Sequence, residues 1–397
     1  MRIAFVTDTY KPHYVSGVIN FIALNRRYLE EHGHEVWVFA FGPYGERSSD
    51  PHVVLSPGFR VPGLEGFHLG THLTRRAHAL LATMDVVHID DPFVSGRFAL
   101  SVCRRHHVPV VFTNHSRVDL YPDYFLTALP AGSLDEALRL YMRRFCRRVD
   151  LVISPTASME DVLRGLGVDA PIKVVRNGVD IAPFLRVARG FEAADAPRVA
   201  ARAALGVAPD DVLFVYSGRL STEKNLLLLV EAFGRVAKRV PAARLALVGD
   251  GPARREIETA VRKAGLSQRV HFLGMVPYEE MPAKLALCDV WVTASVTEVD
   301  PLTVIEAMAA GLAVVGPEAP GLTDTVCVGT TGLLVPPDDA GAMADAMVSL
   351  ASDPGTLRAM GHAAREESEH YAIEVTGAKM LGIYELLAAG RTTQAAD

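Results

Sequence analysis

Cysteine is scarce in this chain. Cys103, Cys146, Cys288 and Cys327 are scattered through 397 residues, and no C-x-x-C pair occurs. That pattern argues against a disulfide frame or a zinc site and leaves four small hydrophobes. Long apolar runs are also missing. None reaches the ~20 residues that span a bilayer. No signal-peptide pattern precedes the first strand-like run, Arg2-Ile-Ala-Phe-Val6, so a cytoplasmic protein is expected. There is no basic surplus. The net charge is −6, and nothing global recruits nucleic acid. Two fingerprints are absent as well. Without G-x-G-x-x-G the chain does not read as an NAD-dependent dehydrogenase. Without a D-x-D after a strand no metal is expected, since Asp90 and Asp91 are adjacent rather than alternating.

What is present is a large apolar fraction, 49% hydrophobic against 22% charged, enough for two or three domains. Short apolar runs at 3–7, 36–41, 86–89, 110–113 and 151–154 alternate with helix-like segments at 17–31, 96–106 and 134–148. Runs without polar alternation imply parallel strands covered on both faces. The rhythm then restarts. Strands are expected at 212–216, 244–248, 270–273, 290–294 and 313–315, with helices at 224–237, 253–264, 302–310 and 340–351. The fold class is α/β, with two Rossmann-like domains whose parallel sheets face a central cleft. The boundary falls near Gly178, giving domains 1–178 and 179–372. Residues 186–209, rich in Ala and Arg, read as irregular. In open α/β sheets ligands bind beyond the carboxyl ends of the strands.

The chemistry collects after strands. Ser217-Gly-Arg219-Leu-Ser-Thr-Glu-Lys224 places two cations before a helix. A lysine there opposes the helix dipole, which an anionic ligand would explain. Glu298 and Glu306 flank a turn that opens an apolar helix, and carboxylates suit sugar hydroxyls. Between them the amides of Leu302 and Thr303 start the helix and can hold phosphate oxygens, with Pro301 at an N1-like position. Asp300 reads another sugar hydroxyl or caps the helix. Gly249, in Gly249-Asp-Gly-Pro252, and Gly17, in the loop after the first strand, permit close backbone approach. His115 directly follows a strand.

Four motifs in this order carry a resemblance over nearly the whole chain: Asn177-Gly-Val-Asp180, Arg219 with Lys224, Gly249-Asp-Gly-Pro252, and the E-x7-E of Glu298 and Glu306. Together they resemble the retaining glycosyltransferases of family 4, which have the GT-B fold. The resemblance implies that Glu306 holds ribose hydroxyls and that backbone near Val276 meets the nucleobase. It places His115 beside donor sugar and acceptor. The loop containing Ser16 and Gly17 would contact diphosphate and acceptor. The final helix, about 373–397, would pack back on the first domain. Asp300 departs from the family, where an apolar, Gln or Gly residue is commoner.

The implied reaction is retaining, metal-independent transfer of a hexose to an acceptor hydroxyl. The co-substrate is a UDP-sugar or GDP-sugar, with no further cofactor. The segment from His115 through Tyr121 and Tyr124 is similar to loops of the branch that glucosylates diacylglycerol, so a lipid acceptor is the first expectation. A soluble sugar, sugar phosphate or natural product is the alternative, and a non-catalytic sugar-binding protein is a more distant one. Basic segments at 73–81 and 141–148 fit either peripheral contact with the inner face of a membrane or an ordinary helix surface.

Overall fold

The apolar runs become the strands of two parallel sheets. The computed structural model describes residues 1–11, 16–61, 68–120, 133–193 and 195–390. The chain divides into two units, Met1–Gly178 with Ile373–Asp397, and Val179–Ala372.

The first unit holds β1 (Arg2–Val6), β2 (Glu35–Gly42), β3 (Val53–Arg60), β4 (His68–Gly70), β5 (Val86–Ile89), β6 (Val110–Thr113), β7 (Leu151–Ser154) and β8 (Ile172–Val174). Their order across the sheet is β4-β3-β2-β1-β5-β6-β7-β8. All pairs are parallel except β3 with β4. Alternate residues serve opposite faces. Ile3 and Phe5 of β1 pack with Met380, Ile383 and Tyr384 of the C-terminal helix Ile373–Ala388, while Ala4 and Val6 pack with Phe39, Leu100 and Phe112. Helix Gly17–Glu31 begins where Ser16 Oγ accepts the Ile19 amide.

The second unit holds β9 (Val212–Ser217), β10 (Ala243–Val248), β11 (Val270–Gly274), β12 (Val290–Val292), β13 (Ala313–Pro317) and β14 (Gly332–Val335), in the order β11-β10-β9-β12-β13-β14. Phe214 and Leu245 face helix Leu226–Arg239. Leu213, Val215 and Val314 face helix Leu302–Ala309. In each sheet the chain leaves a central pair, β1 and β5 or β9 and β12, in opposite directions. That reversal makes a crevice at the carboxyl ends of the pair, where α/β sheets take ligands.

The expected irregular stretch at 186–209 is instead largely helical, as Ala182–Ala193 and Asp195–Ala204. Alanine and arginine are strong helix formers, which outweighs the weak apolar periodicity. The arginines are structural. Arg198 and Arg202 both pair with Asp289, at 2.7 and 3.0 Å, and donate to the carbonyls of Ala286 and Leu287. β3, β4 and β14 were not legible as strands. β3 carries Pro57 and Gly58, poor strand formers, at the side of the sheet next to its edge strand.

Candidate active site

In the second unit the loops after β9 and β12 meet. Lys224 Nζ donates to Glu298 Oε1 at 2.7 Å, 74 positions away in sequence. Lys224 sits on a single 3₁₀ turn, Thr222–Lys224. Asn225 then adopts φ +50°, a left-handed conformation asparagine tolerates, and turns the chain into helix Leu226–Arg239. Its amide is fixed by Asp338 Oδ1 at 2.9 Å, from beyond β14. Arg219 is exposed on the same loop. Its carbonyl accepts the Tyr216 hydroxyl at 3.0 Å, and burial, then the charges of Glu298 and Glu223, hold that hydroxyl well above its ordinary pKa.

The far side of this crevice is a helix N-terminus. Helix Leu302–Ala309 has Pro301 as its N-cap, one position earlier than the N1 expected from sequence. The Pro301 carbonyl accepts from Val304, and the amides of Leu302 and Thr303 have no protein acceptor among the described residues. Such unsatisfied N–H groups, with the helix dipole behind them, favour an anion. Asp300 is buried and lies one residue outside the cap, so it is not the N-cap residue. Glu306 is buried within the helix. Burial pushes its carboxyl up to about 8, opposed by a hydrogen bond from Tyr278.

Glycines pack these loops together. A Cβ on Gly249, at φ +130°, would fall 2.0 Å from the Gly218 carbonyl oxygen. Gly321, at φ +84°, would clash with the carbonyls of Val299 and Glu298 at 2.6 and 2.8 Å. The Gly249 amide donates to Gly274 O at 2.8 Å, joining the loop after β10 to the end of β11, two residues before half-buried Val276.

The first unit has its own crevice, at the carboxyl ends of β1 and β5. Asp8 Oδ1 accepts the Ser95 amide at 2.7 Å, and Asp91 Oδ2 accepts the Asp8 amide at 2.8 Å and the Thr7 hydroxyl at 2.7 Å. Burial, then the Asp91 charge, raises Asp8 to about 7. His115 Nε2 lies 2.9 Å from Asp90 Oδ1. Asp90 is fully buried, and burial with the Asp91 charge holds it well above the carboxylate range. Its other oxygen has no hydrogen-bond partner among the described residues. Beneath this pair His88 bridges Tyr384 and Thr113, at 2.5 and 2.6 Å. An added Cβ at Gly17 would meet no atom of the described residues within 4 Å.

Residues 15–182 match the family described as Glycosyltransferase Family 4, and residues 198–367 the family described as Glycosyl transferases group 1. The sulfoquinovosyl transferase SQD2 of Arabidopsis thaliana is 31% identical over 386 residues, covering 93% of this chain and 70% of that protein. The chain belongs to glycosyltransferase family 4. An alpha-monoglucosyldiacylglycerol synthase of Acholeplasma laidlawii is 29% identical over 322 residues, 79% of this chain and 80% of that protein. Among solved structures, Anabaena HepE in complex with UDP and glucose aligns with a TM-score of 0.75 at 19% identity, over 97% of this chain and 99% of that one. The fold is GT-B.

As a family 4 glycosyltransferase, the enzyme transfers sugar from a nucleotide sugar. The structure gathers Arg219, Lys224, Glu298, Asp300, Leu302 and Thr303 on the two central loops of the second unit, with Glu306 inside the helix that follows. Gly249 is tied to these loops by backbone packing against Gly218. In the first unit it places His115, Ser16 and Gly17 at the carboxyl ends of the strands, with Ser16 serving as a helix cap. Tyr121 and Tyr124 lie outside the described residues. Sequence reasoning did not find Tyr216, Tyr278, Gly321 or the Asp90 partner of His115. Asp90 and His115 are 25 positions apart, and only the pairing of β5 with β6 brings them together.

Proposed function

We propose that this glycosyltransferase moves a hexose, with retention, from a UDP-sugar or GDP-sugar to the hydroxyl of a neutral lipid, diacylglycerol first. The observation that carries the donor half is the meeting of Lys224, Glu298 and the unsatisfied helix amides in one crevice. There Arg219, Lys224 and the amides of Leu302 and Thr303 would face the terminal phosphate, and Glu298 the sugar hydroxyls. Glu306 and Val276 would meet ribose and base.

The acceptor oxygen bonds to the anomeric carbon as the bond from that carbon to the phosphate oxygen breaks. The acceptor proton passes to the departing phosphate. Negative charge grows on that phosphate, and cations fixed beforehand stabilise it without reorganising. Because cations fill this role, we read no metal into the reaction, and chelation should leave the rate unchanged. His115, held by Asp90, would orient the acceptor hydroxyl. Retention is supported by the relative named an alpha-monoglucosyldiacylglycerol synthase. Hexoses are generally α-linked in nucleotide sugars, so an alpha product keeps the configuration. The same name supports diacylglycerol as acceptor, and carboxyl groups at Asp8, Asp90 and Asp91 suit uncharged hydroxyls better than phosphates.

The test is a thermal-shift panel of UDP- and GDP-sugars, followed by incubation of the stabilising donor with diacylglycerol vesicles. A lipid-extractable alpha-glycoside, assigned by its anomeric proton coupling, is expected. Only water-soluble glycoside would remove the lipid acceptor. A beta product would remove retention.

A further inference from the structure

Among the described residues, the two basic helices of the first unit turn most of their apolar side chains inward, with Leu140 40% exposed. Ala77 and Leu81 of Arg75–Leu81 are buried in the core, as are Met142, Phe145 and Cys146 of Ser133–Cys146. The large apolar side chains most exposed in this unit lie elsewhere. Tyr44 is 90% exposed, Phe59 73% and Leu69 46%. Sheet register pairs two of them. Phe59 of β3 is opposite Leu69 of β4. The pairing of β2 with β3 ends at Gly42 opposite Pro57, and Tyr44 lies in the turn that follows β2 there.

Phe59 and Leu69 thus form a short exposed apolar row at the end of the sheet where β2 and β3 finish, with Tyr44 in the turn after β2 at that end. That is also the end where the loops bearing Asp8 and Asp90 follow β1 and β5. The row has a firm base. A Cβ on Gly70 would lie 2.2 Å from the Phe41 ring, so β4 is seated directly on a side chain of β2. Cations flank it. Arg60, next to Phe59 on the other face of β3, is exposed, and Arg75 and Arg76 are exposed just beyond β4.

We propose that Tyr44, Phe59 and Leu69, flanked by Arg60, Arg75 and Arg76, form the surface by which this enzyme docks on an anionic lipid bilayer. The proposal rests on the lipid-acceptor reading. Three such side chains are too few for a stable protein interface, which buries about 1,200–2,000 Å². They suit shallow insertion at the level of the headgroups, where a tyrosine hydroxyl stays wet and arginines meet lipid phosphate. Each arginine near such a surface strengthens binding roughly fivefold, and salt removes that part. The row would set the acceptor crevice of the same unit against the bilayer that supplies the acceptor.

The full chain would be sedimented with phosphatidylglycerol vesicles and with phosphatidylcholine vesicles, at low and high salt. The wild type is compared with the double variant Phe59→Ser, Leu69→Ser and with Tyr44→Ser. Thermal unfolding midpoints report integrity. Binding to phosphatidylglycerol at low salt is expected, lost at high salt and on phosphatidylcholine. The double variant should bind roughly tenfold more weakly and Tyr44→Ser less severely so, with midpoints unchanged. If the double variant does not fold, Tyr44→Ser carries the test alone. Absence of wild-type binding at low salt overturns the proposal, as does equal binding by the folded variants. A variant that alters self-association but not vesicle binding also overturns it, since the row would then join copies of the chain. Row-dependent binding with only water-soluble glycoside product supports the docking surface and separates its fate from that of the lipid acceptor.

Discussion

Lys224 and Glu298 hold each other across the crevice of the second unit, and each is half-buried rather than locked in the core. Their roles should therefore separate from folding. Arg219→Ala and Lys224→Ala are each expected to lower turnover about 100-fold or more, as loss of a preorganised electrostatic contact does. The unfolding midpoint should move little, because Arg219 is exposed and Lys224 keeps contact with solvent, where an ion pair contributes on the order of 1 kcal/mol. Steady-state rates and thermal melts of the purified variants check both statements, and near-normal turnover in either variant would sink the assignment. Glu306 gives a different signal. Its folded pKa of about 8 lies above the ordinary 4.5. The stability this group contributes is fully present below the unfolded value and is lost as pH rises through the folded one. Ribose hydroxyls donating to it would favour the ionised form and pull the value down. Nucleotide binding near pH 7 should then release close to one proton. Calorimetry in two buffers of different ionisation enthalpy measures this, and Glu306→Gln should abolish it. Zero release in the wild type would mean that Glu306 does not meet the ribose as a carboxylate.

Among the elements, loops decide the site more than helices do. The loop after β13 supports the loop after β12 through Gly321, whose missing side chain leaves room for the Glu298 and Val299 carbonyls. Gly321→Ala combines a left-handed φ with that clash. It should cost about 1–3 kcal/mol and displace Glu298, raising donor KM and lowering the melting midpoint together. An unperturbed KM would show that the Glu298 loop is held by other contacts. This support was not legible in the sequence, because it joins two loops by backbone carbonyls. Legibility followed chemistry near in sequence. The central strands announced themselves as unbroken Val, Ile, Leu and Phe runs, and the cations after β9 stood out against a helix dipole. Tyr216 passed as a core hydrophobe, since nothing in Val212-Leu-Phe-Val-Tyr216 signals that its hydroxyl pins Arg219. The helices at 182–204 were missed because part of what they bury is an arginine. Arg202 is almost wholly enclosed, its terminal nitrogens held by the Leu287 and Asp211 carbonyls and by Asp289.

The molecule as a whole is an insertion. The chain leaves the first unit at Gly178 and rejoins it at Ile373. The two crossings run together: the Val179 amide donates to the Tyr371 carbonyl at 3.0 Å, and Gly178 has no room for a side chain beside Thr376. The returning helix then completes the first core with Ile373, Met380, Ile383, Tyr384 and Leu387. Five such side chains represent on the order of 10 kcal/mol of burial at about 1.5–3 kcal/mol each. That is comparable with the whole stability of a domain, roughly 5–15 kcal/mol. A chain stopped after Ala372 should therefore keep a folded second unit and lose the first. Limited proteolysis should leave a resistant fragment starting near residue 179. A resistant fragment of the first unit would contradict this.

The place of that helix in the chain also orders events at the ribosome. Domains generally fold as they emerge, the N-terminal one first. Here the first unit emerges with one face of its sheet covered by helix Gly17–Glu31 but still lacking the C-terminal helix, and that last piece arrives only after the second unit is fully synthesised. The half of the enzyme that is translated first is the half that finishes folding last. While translation proceeds, His88, which bonds Tyr384, and Tyr28, which packs on Gly377, must wait in water or against a chaperone for a helix not yet made.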